Sequence, residues 1–241
     1  MPDETAAATE HANRVRDMFA TIAARYDLAN HLLSGNFDKR WRRIVVDRLR
    51  GSLPAKEVSI LDVACGTGDL SLMLSEISGA RIVGTDFCRP MLEIARHKAA
   101  KGGVPLPLVE GDALNLPFRS GSFDGVAIAF GLRNLASAEI GLKELRRVLR
   151  PGGKAAVLEF SRPVTPLFRQ LFQWYFTRLL PLFGGLLSGC QGAYEYLPAS
   201  VSKFADQQQL ASLMQRVGFV EVEYQNLTGG VAAIHLGQRP V

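Results

Sequence analysis

Leu61-Asp62-Val63-Ala64-Cys65-Gly66-Thr67-Gly68-Asp69 sets a glycine-rich bend between a short apolar run and a segment of helical periodicity. The run that leads into it, Val58 to Val63, has the length and side chains of a buried strand. Beyond the bend, Leu70, Met73, Leu74 and Ile77 fall at i, i+3, i+4 and i+7, one face of a helix. Strand, glycine turn and helix in that order open a βαβ unit, and backbone at such a turn can approach a ligand closely because glycine has no Cβ. Asp86 closes the next apolar run about 20 residues after Gly66, the spacing at which a carboxylate accepts ribose hydroxyl protons. The stretch therefore predicts an adenosine-containing ligand.

Outward from the bend, the alternation continues. Strand-like runs at Arg81 to Asp86, Leu106 to Val109, Phe123 to Ala129 and Lys154 to Phe160 are separated by helix-period segments, among them Ala138, Leu142, Leu145 and Leu149. Pro90 suits the first turn of a helix, and Pro151-Gly152-Gly153 is expected to stop the helix before it. Asp206 and Gln209 form a capping-box variant opening a helix with Leu210, Leu213, Met214 and Val217, which Gly218 closes. Phe219 to Tyr224 and Val231 to Leu236 then read as a hairpin around Thr228-Gly229-Gly230. The pattern predicts an α/β fold: a Rossmann-like, doubly wound, mostly parallel seven-stranded sheet with helices on both faces and an antiparallel strand near the C-terminus.

The length of 241 residues suits one such domain. Within it we expect a helical N-terminal region (12–50), a cofactor-binding core (51–163), an aromatic-rich insertion (164–197) and a C-terminal helix with hairpin (198–241). Apolar content of 47% and charged content of 21% exclude a disordered or fibrous chain. Cys65, Cys88 and Cys190 have no paired spacing, which argues against a disulfide framework or a zinc site and suits a reducing cytoplasm. The acidic N-terminal residues do not resemble a targeting peptide. A net charge of +5 favours anionic surfaces, either nucleic acid or lipid headgroups, or else is simply solvated. Lys39 to Arg43 and Arg146 to Arg150 are locally basic, and the second run has the spacing of an exposed helix face. No nucleic-acid partner is expected.

The ligand class turns on two residues. A dinucleotide fingerprint wants glycine or alanine where Ser71 stands, and Asp69 lies where a pyrophosphate would sit at the helix N-terminus and be repelled. A nicotinamide-dependent oxidoreductase is thus the weaker reading. S-adenosyl-L-methionine carries an ammonium and a sulfonium, which tolerate or welcome Asp62 and Asp69. Gly111-Asp112-Ala113, after the third strand, is either an adenine-binding loop or an ordinary turn.

With these residues in hand, the chain resembles the quinone C-methyltransferases, which use S-adenosyl-L-methionine to methylate demethylmenaquinol and the ubiquinone precursor. Phe19 to Asn30, Leu33-Ser34-Gly35 and Trp41-Arg42 are similar to that family's N-terminal signature. Phe130-Gly131-Leu132-Arg133-Asn134, Leu158 to Pro163, Tyr196-Leu197-Pro198 and Leu227-Thr228-Gly229-Gly230 are similar to its later ones. The resemblance implies the methyltransferase form of the fold and cofactor contacts from Thr67, Asp86, Asp112 and Ala113, to which the glycine loop adds Asp62, Gly66 and Gly68. It implies methylation of demethylmenaquinol, with the 2-polyprenyl-6-methoxy-1,4-benzoquinol precursor as the alternative acceptor. Ala129 stands where some members carry serine, so no hydroxyl contact is expected there.

Methylation of a hydroquinone ring carbon needs electron density that the phenolate supplies and the neutral phenol does not, and a free phenol titrates near pH ~10. Arg133, beyond the C-terminal end of the fourth strand, is the candidate for stabilising that anion by a charge-assisted hydrogen bond, with Asn134 and Tyr26 as partners. Its own pKa is too high for service as a base. Tyr26 and Tyr196 also read as packing residues, Asp27 and Asn134 as caps, Glu159 as a surface or paired carboxylate and His235 as structural. No metal is expected, since His, Cys and carboxylates do not cluster in sequence.

Leu167 to Leu187 concentrates Phe168, Phe172, Trp174, Tyr175, Phe176 and Phe183 among leucines, with Arg169 and Arg178 interspersed. Pro181 and Arg178 leave far fewer than the ~20 unbroken apolar residues of a membrane span. Leu167, Leu171, Tyr175 and Leu179 share one helical stripe opposite Arg169, Gln173 and Thr177. Either this segment packs on the core or in a homodimer contact, or it is a lid over a polyprenyl tail that rests peripherally on the cytoplasmic membrane face.

Overall fold

The computed structural model describes residues 2–54, 57–175, 178 and 191–241. Among them the sheet has seven strands: β1 (Val58–Val63), β2 (Ala80–Asp86), β3 (Leu108–Glu110), β4 (Phe123–Ala129), β5 (Leu149–Phe160), β6 (Val220–Leu227) and β7 (Ala232–Gln238). Their order is β3-β2-β1-β4-β5-β7-β6. β1 through β5 pair in parallel, and β7 runs antiparallel to both β5 and β6. The expected α/β architecture, with its one reversed strand near the C-terminus, is the one observed.

Alternation within the strands explains why both faces are covered. On one face, Ile60 of β1, Ala127 of β4, and Ala156 and Leu158 of β5 pack against Trp41, Val45 and Leu49 of α3 (Phe37–Ser52) and Leu70 and Leu74 of α4 (Asp69–Leu74). On the other, Leu61, Val63, Val126, Ile128, Ala155 and Val157 meet Leu142 and Leu145 of α6 (Ala138–Val148) and Leu210 and Met214 of α9 (Gln207–Arg216). A one-residue slip would exchange the two sets, so register is strongly fixed. Each fully buried leucine in these layers contributes on the order of 2 kcal/mol.

Local signals hold with one exception. α5 (Arg89–Lys101) starts with Pro90 in its first turn, and α9 opens with the complete Asp206–Gln209 capping box and closes before Gly218 at φ +94°. Pro151-Gly152-Gly153, expected to stop a helix, instead lies inside β5: α6 has already ended at Val148, and the pairing of β4 with β5 shifts between Phe123 and Gly125. Gly152 at φ +77° carries that irregularity.

The N-terminal region is helical, with α1 (Pro2–Ile22), a 3-10 turn at Ala23–Arg25, α2 (Tyr26–Leu33) and α3. The indole N–H of Trp41 donates to the Thr228 hydroxyl at 2.9 Å, tying α3 to the β6–β7 turn. α7 (Pro166–Trp174) turns inward a face that includes Tyr175 just beyond its end, as the sequence stripe expected, but with Phe168 and Phe172 in place of Leu167. Leu167 is 81% exposed, while Phe168 packs on Phe172 and against Gly229. Phe168, Phe172 and Tyr175 therefore form the inner face, because the bulkier rings bury more area than the leucine. The side chain of Leu171, together with Phe176, Thr177, Leu179, Pro181, Phe183 and Cys190, lies outside the described residues. α8 (Gln191–Lys203) contains Pro198, so the expected boundary at 197/198 falls within a helix.

The second basic run is not one exposed helix face: Arg146 and Arg147 are half-buried on α6, and exposed Arg150 lies beyond its end, in β5. Arg147 is held by Glu144 and by the Leu116 and Phe118 carbonyls, and Arg150 pairs with Asp124. Cys65 and Cys88 are free and buried. No helix of the described residues is long and apolar enough to cross a membrane.

Candidate functional site

β1 pairs with β2 on one side and β4 on the other, so the strand order reverses at β1 and a crevice opens beyond the C-terminal ends of β1 and β4. Two non-glycine residues there have left-handed backbone: Ala64 at φ +51° after β1 and Phe130 at φ +60° after β4. Such strain costs roughly 1–2 kcal/mol each and persists where surrounding structure imposes it. Gly131 follows, and a Cβ on it would stand 2.6 Å from that of Ala64, so glycine is what lets the two loops meet.

The loop from Cys65 to Gly68 is fixed by Asp86. One carboxylate oxygen accepts the Gly66 N–H at 2.8 Å and the other accepts the Cys88 N–H at 2.9 Å. Burial pushes the Asp86 carboxyl up to about 6, against three backbone hydrogen bonds that pull it down. A cavity of about 280 Å³ extends from this carboxylate. Gly66, Asp86, Asp112 and Ala113 line it, as do Tyr26 and Asn134, together with Phe87, Met91 and Leu114. Asp112 Oδ1 accepts the Leu114 N–H at 2.8 Å, which sets the loop after β3.

Asp62 and Thr67 face a small adjoining cleft of about 30 Å³ rather than the main cavity. Asp62 accepts the Ser71 hydroxyl at 2.6 Å, and burial pushes its carboxyl up to about 7. Ser71, which spoils the dinucleotide fingerprint, is thus the partner of a buried acid. The Thr67 hydroxyl donates to Asp27 at 2.5 Å. Gly68, at φ +82°, packs against Ala95 of α5 and is in neither lining. Asp69 is already engaged: Lys98 bonds to it and, at 2.9 Å, to Asp27, while His31 Nε2 lies 3.5 Å away. Its charge is therefore balanced within the protein, by Lys98.

A second cavity of about 530 Å³ adjoins the first and shares Tyr26 and Phe130 with it. Phe160, Phe168, Phe172 and Trp41 make it aromatic, and Arg133 and Arg42 bring two cations to its wall. Arg133 lies in the 3-10 turn Leu132–Asn134, where its Nη1 donates to Glu159 at 2.7 Å and to the Phe130 carbonyl at 2.6 Å. Glu159 is therefore a paired, buried carboxylate. Asn134 donates to the same Phe130 carbonyl at 3.1 Å and accepts the Tyr196 hydroxyl at 3.2 Å. Tyr26 has its phenol pushed up by burial, which outweighs the opposing pull of Arg42 and Arg133. His235 is buried in β7, donates through Nε2 to the Gln207 carbonyl at 2.7 Å and lines neither cavity, a structural role.

Sequence reasoning missed the lid over the smaller cavity. Ala12, Asn13, Arg16 and Phe19 of α1 line it, and Val15, Met18 and Ile22 at helical spacing were the available signal. It also missed Arg42, buried over the Phe130 ring at 5.4 Å and paired with Asp38 at 2.6 Å. Asp38 and Asp69 approach His31 closely enough to hold a cation, but Arg42 and Lys98 already neutralise them.

The residues present suit S-adenosyl-L-methionine. The two Asp86 oxygens offer about four lone-pair sites to three backbone N–H groups, which leaves capacity for a ligand hydroxyl, and a Cβ built on Gly66 meets nothing within 4 Å, leaving backbone open to a ligand. Asp62 and Asp86 set two further carboxyls beside the loop at which a dinucleotide would need to seat its pyrophosphate.

Comparison with known proteins agrees with this chemistry. The chain is 53% identical over 224 residues to the demethylmenaquinone methyltransferase of Thermus thermophilus, covering 92% of this chain and all of that protein. It is 43% identical over 237 residues to the ubiquinone/menaquinone biosynthesis C-methyltransferase UbiE of Geobacter sulfurreducens, covering 96% and 90%. A solved SAM-dependent methyltransferase from Thermotoga maritima, described as a possible histamine N-methyltransferase, superposes with a TM-score of 0.63 at 20% identity over 93% of this chain and 99% of that one, a likeness of fold. The family model for the ubiE/COQ5 methyltransferases matches residues 7–239, and the chain belongs to that family.

Proposed function

We propose that this chain transfers the methyl group of S-adenosyl-L-methionine to a ring carbon of demethylmenaquinol, giving menaquinol. The benzoquinol precursor of ubiquinone is the alternative acceptor, favoured by the names of relatives such as the Geobacter protein. One observation carries the reading: a carboxylate-lined cavity at the glycine loop shares Tyr26 and Phe130 with an aromatic cavity holding Arg133. Donor and acceptor would meet at that common wall.

When bound, the cofactor supplies a methyl group on a sulfonium, which leaves as a good neutral thioether. Asp86 would accept the ribose hydroxyl protons, and Asp112 and Ala113 would flank the adenine beside the apolar Phe87 and Met91. Asp62, with Gly66 and Thr67, would surround the cationic methionine end, and Gly68 would shape the bend from behind, against Ala95. Arg133 would stabilise the phenolate by a charge-assisted hydrogen bond, its fork held by Glu159. Asn134, oriented by Tyr196, and the neutral Tyr26 phenol would complete the polar side of the acceptor.

The aromatic cavity and the exposed Leu167 and Trp174 of α7 support a polyprenyl tail leaving the site toward a lipid surface. We take the cytoplasmic face of the membrane as that surface, with peripheral and reversible contact. Mass spectrometry of the quinones of a host lacking this gene tests the substrate. Accumulation of demethylmenaquinone supports the first acceptor, accumulation of the benzoquinone precursor supports the second, and an unchanged profile contradicts both.

A further inference from the structure

We infer that Arg42 is a substrate-binding residue, holding the second oxygen of a 1,4-dihydroxy aromatic ring while Arg133 holds the first. The inference rests on the quinol reading above and names the side chain that would select a diol. Both guanidiniums line the 530 Å³ cavity. Each lies over one ring of the same aromatic pair: Arg42 is 5.4 Å from the Phe130 centroid, Arg133 is 5.2 Å from that of Phe160, and the two rings are 4.7 Å apart. They reach that pair from different elements, Arg42 from α3 and Arg133 from the turn after β4.

Each cation is anchored by one buried acid. Arg42 Nη1 donates to Asp38 at 2.6 Å, and Asp38 is itself fixed by the Ser34 hydroxyl at 2.7 Å and by His31 Nδ1 at 2.8 Å. Burial would push the Asp38 carboxyl up, but Ser34, Arg42 and His31 outweigh it and hold it below its ordinary value, so the anchor stays ionised. Desolvating such a pair beside an apolar cavity is costly and contributes orientation more than stability. Of the five guanidinium N–H donors of Arg42, Nη1 is the group with a hydrogen bond to a described residue. Arg42 lines both that cavity and the small cleft beside Asp62, so its remaining donors border space open to a ligand. A 1,4-diol presents oxygens on opposite edges of its ring, and two separately anchored forks in one cavity match that arrangement. A lone arginine would recognise one oxygen and accept a mono-ol equally well.

The test compares a short-tailed 2-prenyl-1,4-naphthohydroquinone with the mono-ol that lacks the hydroxyl beside the prenyl-bearing carbon, using wild type, Arg42→Gln and Arg42→Lys. Circular dichroism and thermal melting serve as the check on folding. Wild type should prefer the diol in kcat/KM by about 10- to 100-fold, the worth of one hydrogen bond to a charged donor. Arg42→Gln should abolish the preference through a rise in KM for the diol larger than any change seen with the mono-ol. Arg42→Lys, which keeps the charge beside Asp38, should restore part of the preference and carries the comparison if the glutamine variant does not fold. A wild type that uses both substrates equally well, or an Arg42→Gln variant that loses both activities by one factor or keeps the preference, overturns the role of Arg42 and leaves the quinol reading intact. A wild type that binds the cofactor and methylates neither ring overturns both.

Discussion

Glu159 grips Arg133 twice: Oε1 accepts from Nη1 at 2.7 Å, and Oε2 accepts from the Arg133 backbone N–H at 3.2 Å. The side chains are 1% and 7% exposed, so the fork is locked before any ligand arrives. A preorganised donor of this kind acts on charge that develops in the transition state. Arg133→Ala should therefore lower kcat by about 10²- to 10³-fold, the usual loss for one such donor. The Kd for S-adenosyl-L-methionine, measured by calorimetry, should change little. Normal turnover in that variant removes Arg133 from the mechanism.

Asp86→Asn tests the cofactor cavity. The amide has one acceptor oxygen for the two backbone N–H groups of Gly66 and Cys88, and it loses the charge. Cofactor affinity should fall by about 10- to 100-fold, corresponding to loss of a charged hydrogen bond of ~1.5–3 kcal/mol. An unchanged binding isotherm would separate Asp86 from the ligand.

The buried acids also set a pH dependence. Asp62, pushed up to about 7, and Asp86, pushed up to about 6, both by burial, bind protons more tightly folded than unfolded, where the reference value is 3.8. Their contribution to stability is complete below about pH 3.8 and is lost as pH rises through 6 and 7. A cationic ligand prefers their ionised forms. Binding of S-adenosyl-L-methionine should thus release protons and tighten as pH rises through 6 and 7, and Asp62→Asn should flatten the upper part of that curve. Titration calorimetry in buffers of different ionisation enthalpy reads the protons directly, and a pH-independent Kd would contradict the assignment.

Much of this was legible in the sequence because it is local. The bend at Gly66, the acid at Asp86 and the alternation in β1, β4 and β5 each follow from residues near one another in the chain. What escaped depends on contacts between distant segments. Nothing next to Asp69 announces that Lys98 neutralises it, and Arg42 looks like an ordinary helix charge until Phe130 folds beneath it. The stripe led by Leu167 holds at Tyr175, which lines the aromatic cavity, and fails at Leu167 itself, because periodicity identifies candidate faces without ranking them. Gly229 admits Phe168 closely, and that contact decides which side turns inward.

The exposed end of α7 bears on the tail. Leu167 is 81% exposed and Trp174 56%, on the helix whose Phe168 and Phe172 line the aromatic cavity. Replacing both Leu167 and Trp174 by serine should weaken sedimentation with anionic lipid vesicles and raise KM for long-tailed quinols, with short-tailed analogues unaffected. Equal losses on both substrates would assign the two residues to packing.

Purified enzyme incubated with methyl-labelled S-adenosyl-L-methionine and a short-tailed demethylmenaquinol under reducing conditions addresses the whole account at once. Mass spectrometry with fragmentation should find the label on the ring carbon adjacent to the prenyl-bearing one, and Asp86→Asn and Arg133→Ala should each suppress it. Label on an oxygen, or no transfer by folded enzyme that binds a nicotinamide dinucleotide instead, would contradict the account.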